Sequence, residues 1–303
     1  MKPLNINEQH TGKILDTING VDVIECNQCK FKHILPLPTE KDLSKLYVED
    51  YFQKDKSIYI DEVQEDIEWW KLVFSDKYDS FEELVPTTRR SLLDIGCGYG
   101  HFLLTGKERG WEVAGFEPST TAFSYCKKKL DLNVTNNFFD NGTKTELGYF
   151  EVIHLAEVLE HVNDPYNLLL NAYEKLNPGG LICVEVPNDY SPFQSALRKV
   201  CNFKPWWVYP KHHINYFNFD SLDNLLTRVG FEVVSKDTSF PIDLFLLMGR
   251  DYVNDGKIGR ECHGLRKNFE LNINKANMNE LKRKIYKSFA ELGIGREIIM
   301  IAV

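Results

Sequence analysis

The sequence lacks the cysteine pattern of a disulfide-bonded protein. Its seven cysteines are odd in number and irregular in spacing, and several lie inside apolar stretches. This usage favours a reducing compartment over a disulfide framework. The cysteines are Cys26, Cys29, Cys97, Cys126, Cys183, Cys201 and Cys262.

Long apolar stretches are also missing. No part of the chain approaches the roughly 18–20 consecutive apolar residues that a bilayer-spanning helix needs. The opening MKPLNINEQH has no apolar segment after its lysine, unlike a secretory leader. We therefore expect a soluble, cytoplasmic protein with no membrane partner.

Positive charge is in deficit. The chain of 303 residues has 36 Lys and Arg against 44 Asp and Glu, a formal net charge of −8. A nucleic-acid-binding protein would need a local basic patch against this background. We expect a small-molecule ligand and no nucleic-acid partner. The 43% hydrophobic and 26% charged residues are typical of a globular protein and exclude wholesale disorder.

Short apolar segments alternate with amphipathic ones from residue 91 onward. SLLDIG, WEVAGFE, LNVTNNFF, FEVIHLA and LICVEVPN predict strands, while HFLLTGKERG and STTAFSYCKKKL predict helices. A helix that starts at Asp164-Pro165 is predicted to end at residues 177–180, and REIIMIAV predicts a last strand. This alternation indicates an α/β fold, a doubly wound sheet with helices on both faces.

Changes in composition and in apolar patterning along the sequence divide the chain into four predicted segments. Residues 1–58 form an N-terminal module that is polar and rich in turns, and 59–90 form a helical lead-in. Residues 91–235 form the ligand-binding core. Residues 236–303 contain a partly helical insertion and the final strand that completes the core.

Three alternate glycines follow the first core strand. In DIGCGYG, Gly96, Gly98 and Gly100 come after Asp94, and they allow a sharp turn with bare amides at the ligand-binding edge of the sheet. A dinucleotide fingerprint would need glycine where His101 stands, and the phosphate-loop pattern is absent. An acid before the first glycine repels a phosphate but suits a cationic ligand.

A second acid follows at the end of the next strand. Glu117 stands 23 positions after Asp94, and an acid there can accept hydrogen bonds from ribose hydroxyls. A ribose joined to a cationic amino-acid portion, without phosphate, describes S-adenosylmethionine. The alternative interpretation is a plain glycine turn beside a solvated glutamate.

These segments together resemble the class I S-adenosylmethionine-dependent methyltransferases. The similar stretches, in order, are LLDIGCGYGHFL, VAGFEPS, FEVIHLAEVLEHVNDP and LNPGGLICVEVPN, and KHHINYFNFDSLDNLLTRVGFEVV extends the likeness to about residue 235. The resemblance implies a Rossmann-like, seven-stranded mixed sheet and an enzyme that uses S-adenosylmethionine. The cofactor-binding residues it implies are Asp94, Gly96, Gly98, Gly100, Glu117, Pro118, Asn137, Phe138 and Ala156.

The histidines are the informative residues on the acceptor side. A hydroxyl acceptor needs a general base, whereas an amine needs only an exposed lone pair. His213 lies in a segment similar to the P-x-H-x-x-Y-F segment of small-molecule and glycan methyltransferases, so we predict that it is the base or orients the acceptor. We expect His212 to be exposed. We expect Asn188, the last residue of the predicted strand LICVEVPN, to face the acceptor.

His161 is a further catalytic candidate with two interpretations. It can pack beneath the glycine loop. Alternatively, Glu157, Glu160 and His161 resemble the Glu, Glu and His that hold a divalent metal in ubiquinone-pathway O-methyltransferases. We expect no metal at this position.

The pair Cys26-x-x-Cys29 resembles half of a zinc module. Related methyltransferases begin with two such pairs around zinc, but this chain has one. We expect a metal-free remnant, and the alternative is that His10 and His33 complete four ligands.

A group of basic residues lies between positions 250 and 267. This group is either a solvated face or a site for an anionic, phosphate- or nucleotide-linked acceptor. Its residues are Arg250, Arg260, His263, Arg266 and Lys267.

The sequence therefore predicts O-methylation of a small polar acceptor, such as a sugar or sugar nucleotide, in surface-glycan (carbohydrate) biosynthesis. An N-methyltransferase and a quinone-type O-methyltransferase are alternatives from the same family. An inactive binding or scaffold protein of the same fold is the alternative that is not an enzyme. The pattern does not predict an oligomeric state.

Overall fold

A computed structural model describes residues 10–45, 63, 65–85 and 90–303. The chain divides into two compact units, Met1–Leu37 with Glu185–Met300 and Pro38–Val184 with Ile301–Val303. The strands are β1 (Gly12–Ile18), β2 (Val21–Cys26), β3 (Lys32–Leu35), β4 (Ser91–Ile95), β5 (Glu112–Phe116), β6 (Val134–Thr135), β7 (Phe150–Ala156), β8 (Leu176–Pro187), β9 (Asn215–Tyr216), β10 (Val233–Thr238) and β11 (Glu297–Ala302).

The described helices begin with α1 (Glu40–Lys45) and α2 (Ile67–Leu84). They continue with α3 (His101–Glu108), α4 (Thr120–Lys129), α5 (Pro165–Tyr173), α6 (Pro192–Cys201), α7 (Phe219–Val229), α8 (Asp243–Leu247), α9 (Gly256–Lys275) and α10 (Asn279–Glu291). In the described part of the chain, every helix is too short or too polar to traverse a lipid bilayer.

A seven-stranded sheet forms the framework, with strand order β10-β11-β8-β7-β4-β5-β6. This confirms the predicted Rossmann-like α/β fold with a mixed sheet. Strand β4 pairs in parallel with both β5 and β7, and β5 pairs in parallel with β6. The carboxyl ends of these four strands therefore lie at one edge of the sheet, the edge at which open α/β sheets bind ligands.

A second, four-stranded sheet has the order β1-β2-β3-β9, and all its pairings are antiparallel. Strand β9 joins it through the register pairs His33 with Asn215 and Lys32 with Tyr216. The sequence indicated only a turn-rich segment over this region. The boundaries drawn at 58, 90 and 235 stay a prediction.

Several predicted helix starts are confirmed by their capping bonds. The Ser119 side chain accepts from the backbone N–H of Ala122, and the Asp164 side chain accepts from that of Asn167. These side-chain acceptors satisfy amide groups that the first turn of a helix leaves without partners.

Other boundaries differ from the prediction. The end of the helix expected at 177–180 is wrong, since α5 ends at Tyr173 and β8 already begins at Leu176. LNVTNNFF forms only the two-residue strand β6. The helical lead-in expected over 59–90 contains the observed helix α2, while residues 59–62, 64 and 86–89 lie outside the described residues.

An aromatic cluster fastens α2 to α3. Tyr78 is fully buried, its ring stacks on Phe102 at a centroid distance of 4.7 Å, and its hydroxyl donates to the Phe102 carbonyl at 3.2 Å. The two helices approach so closely that a Cβ built at Gly106 would lie 2.1 Å from the Tyr78 hydroxyl oxygen. Glycine at 106 is therefore a packing requirement.

We predict that Gly106→Ala lowers the free energy of unfolding by about 1–3 kcal/mol, because the added methyl overpacks a buried aromatic contact. Gly264→Ala is the matched control, since this glycine also lies within a helix but a Cβ there meets nothing within 4 Å. It should raise the free energy of unfolding by about 0.5–1 kcal/mol. Urea denaturation of both variants measures this, and equal effects of the two changes would contradict the packing account.

Candidate cofactor site and acceptor segment

The glycine loop leaves β4 in a backbone conformation that favours glycine. Gly96, Gly98 and Gly100 have φ angles of 76°, 52° and 76°. A Cβ at Gly96 would lie 2.7 Å from Val158 Cγ2, and one at Gly100 would lie 2.8 Å from Cys126 Sγ. Both the conformation and the close approach of neighbouring side chains therefore call for glycine here.

Glu117 holds this loop from the end of the neighbouring strand. Its side chain is 4% exposed. One carboxylate oxygen accepts from the Gly98 amide at 2.8 Å, and the other accepts from the Ser119 amide at 2.7 Å. Each carboxylate oxygen has a further lone pair, so the group keeps the capacity to accept ribose hydroxyls.

Opposing effects act on the pKa of the Glu117 carboxyl. Burial raises the pKa of its carboxyl to about 7, the two amide hydrogen bonds act in the opposite direction, and the nearby Asp94 raises the pKa further. An acid with this pKa changes its protonation state close to neutral pH.

Asp94 is 3% exposed, and a histidine that the sequence analysis missed holds it in place. The two residues pair in register across β4 and β7, and Asp94 Oδ1 lies 2.7 Å from His154 Nδ1. The His154 ring stacks on Phe102 at 4.0 Å. A histidine inside the otherwise apolar segment VIHLA was the available signal, since a buried polar group needs a partner.

The segment after β6 is accessible. Asn137 is exposed, and the side chain of Phe138 is 38% exposed beside it. Asn136, which the sequence analysis also missed, donates to the carbonyls of Glu117 at 2.9 Å and Pro118 at 3.0 Å. This amide therefore ties the ends of β5 and β6 together.

The segment after β7 begins at Ala156, the half-buried last residue of that strand. The next residue, the exposed Glu157, has a φ of 55°, a left-handed conformation that costs a non-glycine residue about 1–2 kcal/mol. Strain of this kind concentrates at functional edges. Glu160 and His161 are buried in a short 3₁₀ turn, with His161 Nε2 lying 3.6 Å from Glu160 Oε1. The catalytic role of His161 stays a prediction.

His213 belongs to the other compact unit. Its ring is half-buried, its amide donates to the Tyr209 carbonyl at 2.9 Å, and its own carbonyl accepts from the Tyr216 hydroxyl at 3.0 Å. The backbone at His213 is thus fixed, and the residue as a whole is half-buried. The expected exposure of His212 is wrong. That residue is 6% exposed because its ring packs against Tyr209 at 4.9 Å.

Asn188 is buried, with 1% exposure. Its side-chain amide donates to the carbonyls of Gly293 at 3.0 Å and Gly295 at 3.1 Å. These bonds anchor the chain that leads into β11. The arrangement gives the predicted acceptor-facing role of Asn188 no support.

Residues 68–236, more than half of the chain, match a family model described as a methyltransferase domain. The chain belongs to the S-adenosylmethionine-dependent methyltransferases. This confirms the resemblance stated from the glycine loop and its flanking strands, and with it S-adenosylmethionine as the cofactor.

Curated relatives of this methyltransferase share about a quarter to three tenths of the aligned residues. A tRNA U34 carboxymethyltransferase of Wolinella succinogenes is 29% identical over 188 residues, 56% of this chain and 61% of that protein. A ubiquinone biosynthesis O-methyltransferase of Caulobacter vibrioides is 27% identical over 170 residues, 54% of this chain and 67% of that protein. The match therefore spans less than two thirds of the Wolinella protein.

Among solved structures, a SAM-dependent methyltransferase from Archaeoglobus fulgidus is similar to the chain. Its TM-score is 0.48 at 20% sequence identity, and the match covers 76% of this chain and 92% of that one.

We predict that S-adenosylhomocysteine binds more weakly as the pH falls, because ribose hydroxyls need the ionised Glu117 carboxylate. With a pKa of about 7, the dissociation constant should rise about tenfold between pH 8 and pH 6. Calorimetric titration measures this. Glu117→Gln should weaken binding and remove the pH dependence, whereas Glu112→Gln, an exposed acid at the start of the same strand, should change neither.

We also predict that Asn188→Ala lowers the free energy of unfolding by about 1–3 kcal/mol, because two backbone carbonyls lose their buried donor. Thermal or urea denaturation checks this. A variant that unfolds like the parent protein but loses turnover would instead restore the acceptor-facing role.

Proposed function

We propose that this protein transfers a methyl group from S-adenosylmethionine to a hydroxyl of a small polar acceptor, such as a sugar or sugar nucleotide. The observation that supports this proposal most directly is the loop Gly96–Gly100. Its Gly98 amide donates a hydrogen bond to the buried Glu117 carboxylate. The cofactor contacts in this proposal are those inferred from the sequence, namely Asp94, Gly96, Gly98, Gly100, Glu117, Pro118, Asn137, Phe138 and Ala156. Surface-glycan biosynthesis is the setting that this acceptor class suggests.

The cofactor and the protein chain contribute different parts of the proposed reaction. When bound, S-adenosylmethionine supplies an electrophilic methyl group on a positively charged sulfur. The chain aligns the two reactants, and such alignment is worth roughly 7–11 kcal/mol in well-oriented reactions. The imidazole of His213 takes the proton of the acceptor hydroxyl, a contribution of about 10²–10⁴ in rate.

An anionic acceptor is supported by the basic residues of α9, of which Arg260, Arg266 and Lys267 carry the positive charge. Arg260, His263 and Lys267 are spaced three and four residues apart, so they lie on one helix face. Arg266 lies beside them, with its guanidinium 2.9 Å from His263 Nδ1. Arg250, which precedes the helix, is paired with Glu261. A phosphate- or nucleotide-linked sugar would complement this face.

A quinone-type hydroxyl is the second candidate acceptor. The name of the Caulobacter relative supports it. The buried neighbours Glu160 and His161 also support it, because they resemble residues that hold a divalent metal in ubiquinone-pathway O-methyltransferases. An amine acceptor would need no base. A tRNA acceptor, as named for the Wolinella relative, fits the net charge of −8 less well. An inactive scaffold would bind the cofactor without turnover.

The test has two stages. Calorimetry with S-adenosylhomocysteine should show binding, and failure of the folded protein to bind would exclude the proposed function. A screen of sugar nucleotides, free sugars, quinols and amines with a labelled methyl donor should then show transfer to the sugar class. Transfer to a quinol or an amine alone would select the corresponding alternative.

We predict that His213→Ala lowers turnover about 10²-fold or more with unchanged affinity for S-adenosylhomocysteine, because the hydroxyl loses its base. Steady-state kinetics and calorimetry measure the two quantities. Lys211→Ala, an exposed change in the same segment, is the matched control and should keep the parent turnover. Equal turnover in all three proteins would remove His213 from the mechanism.

A further inference from the structure

Four side chains with metal-binding atoms meet at the end of the β2–β3 hairpin. They are His10, which precedes β1, Cys26 and Cys29 from the turn, and His33 on β3. One ligand atom from each of them lies within 4.8 Å of all the others. All four residues belong to one compact unit and lie away from the glycine loop in sequence.

The distances from His10 to the two sulfur atoms fit tetrahedral coordination. His10 Nδ1 lies 3.5 Å from Cys26 Sγ and 3.3 Å from Cys29 Sγ. A zinc ion with bonds of about 2.3 Å to sulfur and about 2.0–2.1 Å to nitrogen places the two ligand atoms about 3.5 Å apart. The protein thus holds a donor set of the right size.

The turn that carries the cysteines is built to aim them inward. The Cys29 amide points at Cys26 Sγ at 3.3 Å, and the Lys30 amide donates to the Cys26 carbonyl at 3.1 Å. Arg228 of α7 donates to the Cys29 carbonyl at 2.7 Å. Outer hydrogen bonds of this kind orient the ligands of metal sites.

His33 is held in the form that a metal ligand needs. Its Nδ1 lies 2.9 Å from the Ile34 carbonyl, which can only accept, so Nδ1 carries the proton and Nε2 has a lone pair. This Nε2 is buried and has no hydrogen-bond partner among the described residues. A buried polar atom without a partner is costly, and a metal ion would satisfy it.

We propose that His10, Cys26, Cys29 and His33 bind one zinc ion in a closed Cys₂His₂ site. Two sulfur and two nitrogen donors suit zinc, and four protein ligands leave no open position for a substrate. The ion is therefore structural. The sequence alone predicts a metal-free remnant because one cysteine pair is missing, whereas the geometry favours two histidines in its place.

The site fastens the strand on which the acceptor segment depends. His33 pairs in register with Asn215 of β9, and the Ile34 amide donates to the Ile214 carbonyl at 2.9 Å. Strand β9 begins two residues after His213. Loss of zinc should therefore destabilise this small sheet without touching the glycine loop.

Elemental analysis of the full chain, purified under reducing conditions and desalted after incubation with zinc, tests the proposal. We expect about one zinc per chain, and near none in Cys26→Ser and His10→Ala. Cys201→Ser is the matched control because Cys201 is exposed on α6 and outside the cluster, and it should keep the metal. Parent protein without bound zinc, or equal zinc in Cys26→Ser and Cys201→Ser, would overturn the proposal.

Cobalt substitution in the parent protein keeps the test independent of variant folding. Cobalt(II) in the site should show thiolate-to-metal charge transfer and the intense visible bands of tetrahedral coordination. A weak octahedral spectrum would overturn the assignment. Chelation of the metal should lower the melting temperature of the protein and leave its affinity for S-adenosylhomocysteine unchanged.

Discussion

The carboxylate of Glu117 joins two stretches of backbone at the carboxyl edge of the sheet, because it accepts from the amides of Gly98 and Ser119 at once. This bond pair holds the glycine loop against the end of β5. In the same loop, Gly96 and Gly100 have left-handed φ angles, and Val158 and Cys126 lie where their side chains would be. Burial disfavours the charged form of this carboxyl and raises its pKa to about 7.

The sequence predicted the parts of the fold in which local chemistry and burial agree. The apolar strands around Asp94 and Glu117 and the caps at Ser119 and Asp164 follow from short-range patterns. The antiparallel strands β1–β3 were missed because their exposed faces are polar and their partner β9 lies about 180 residues away. Register between distant strands is not visible in a local pattern.

In the candidate site, too, some features were predictable from the sequence and others depend on the tertiary structure. The glycines and Glu117 were identifiable from spacing, since a loop that exposes amides needs these residue types. His154, Asn136 and the anchoring bonds of Asn188 depend on which side chains the fold brings together. The burial of His212 likewise comes from its contact with Tyr209. Neighbours along the chain can therefore have different environments, and only the tertiary structure separates them.

The most direct measurement is a crystal structure of the protein with S-adenosylhomocysteine. We predict that the two ribose hydroxyls lie within hydrogen-bonding distance of the Glu117 carboxylate, while the homocysteine portion follows the backbone of Gly96 and Gly98. A nucleoside bound elsewhere on the chain, or a ribose that makes no contact with Glu117, would contradict it.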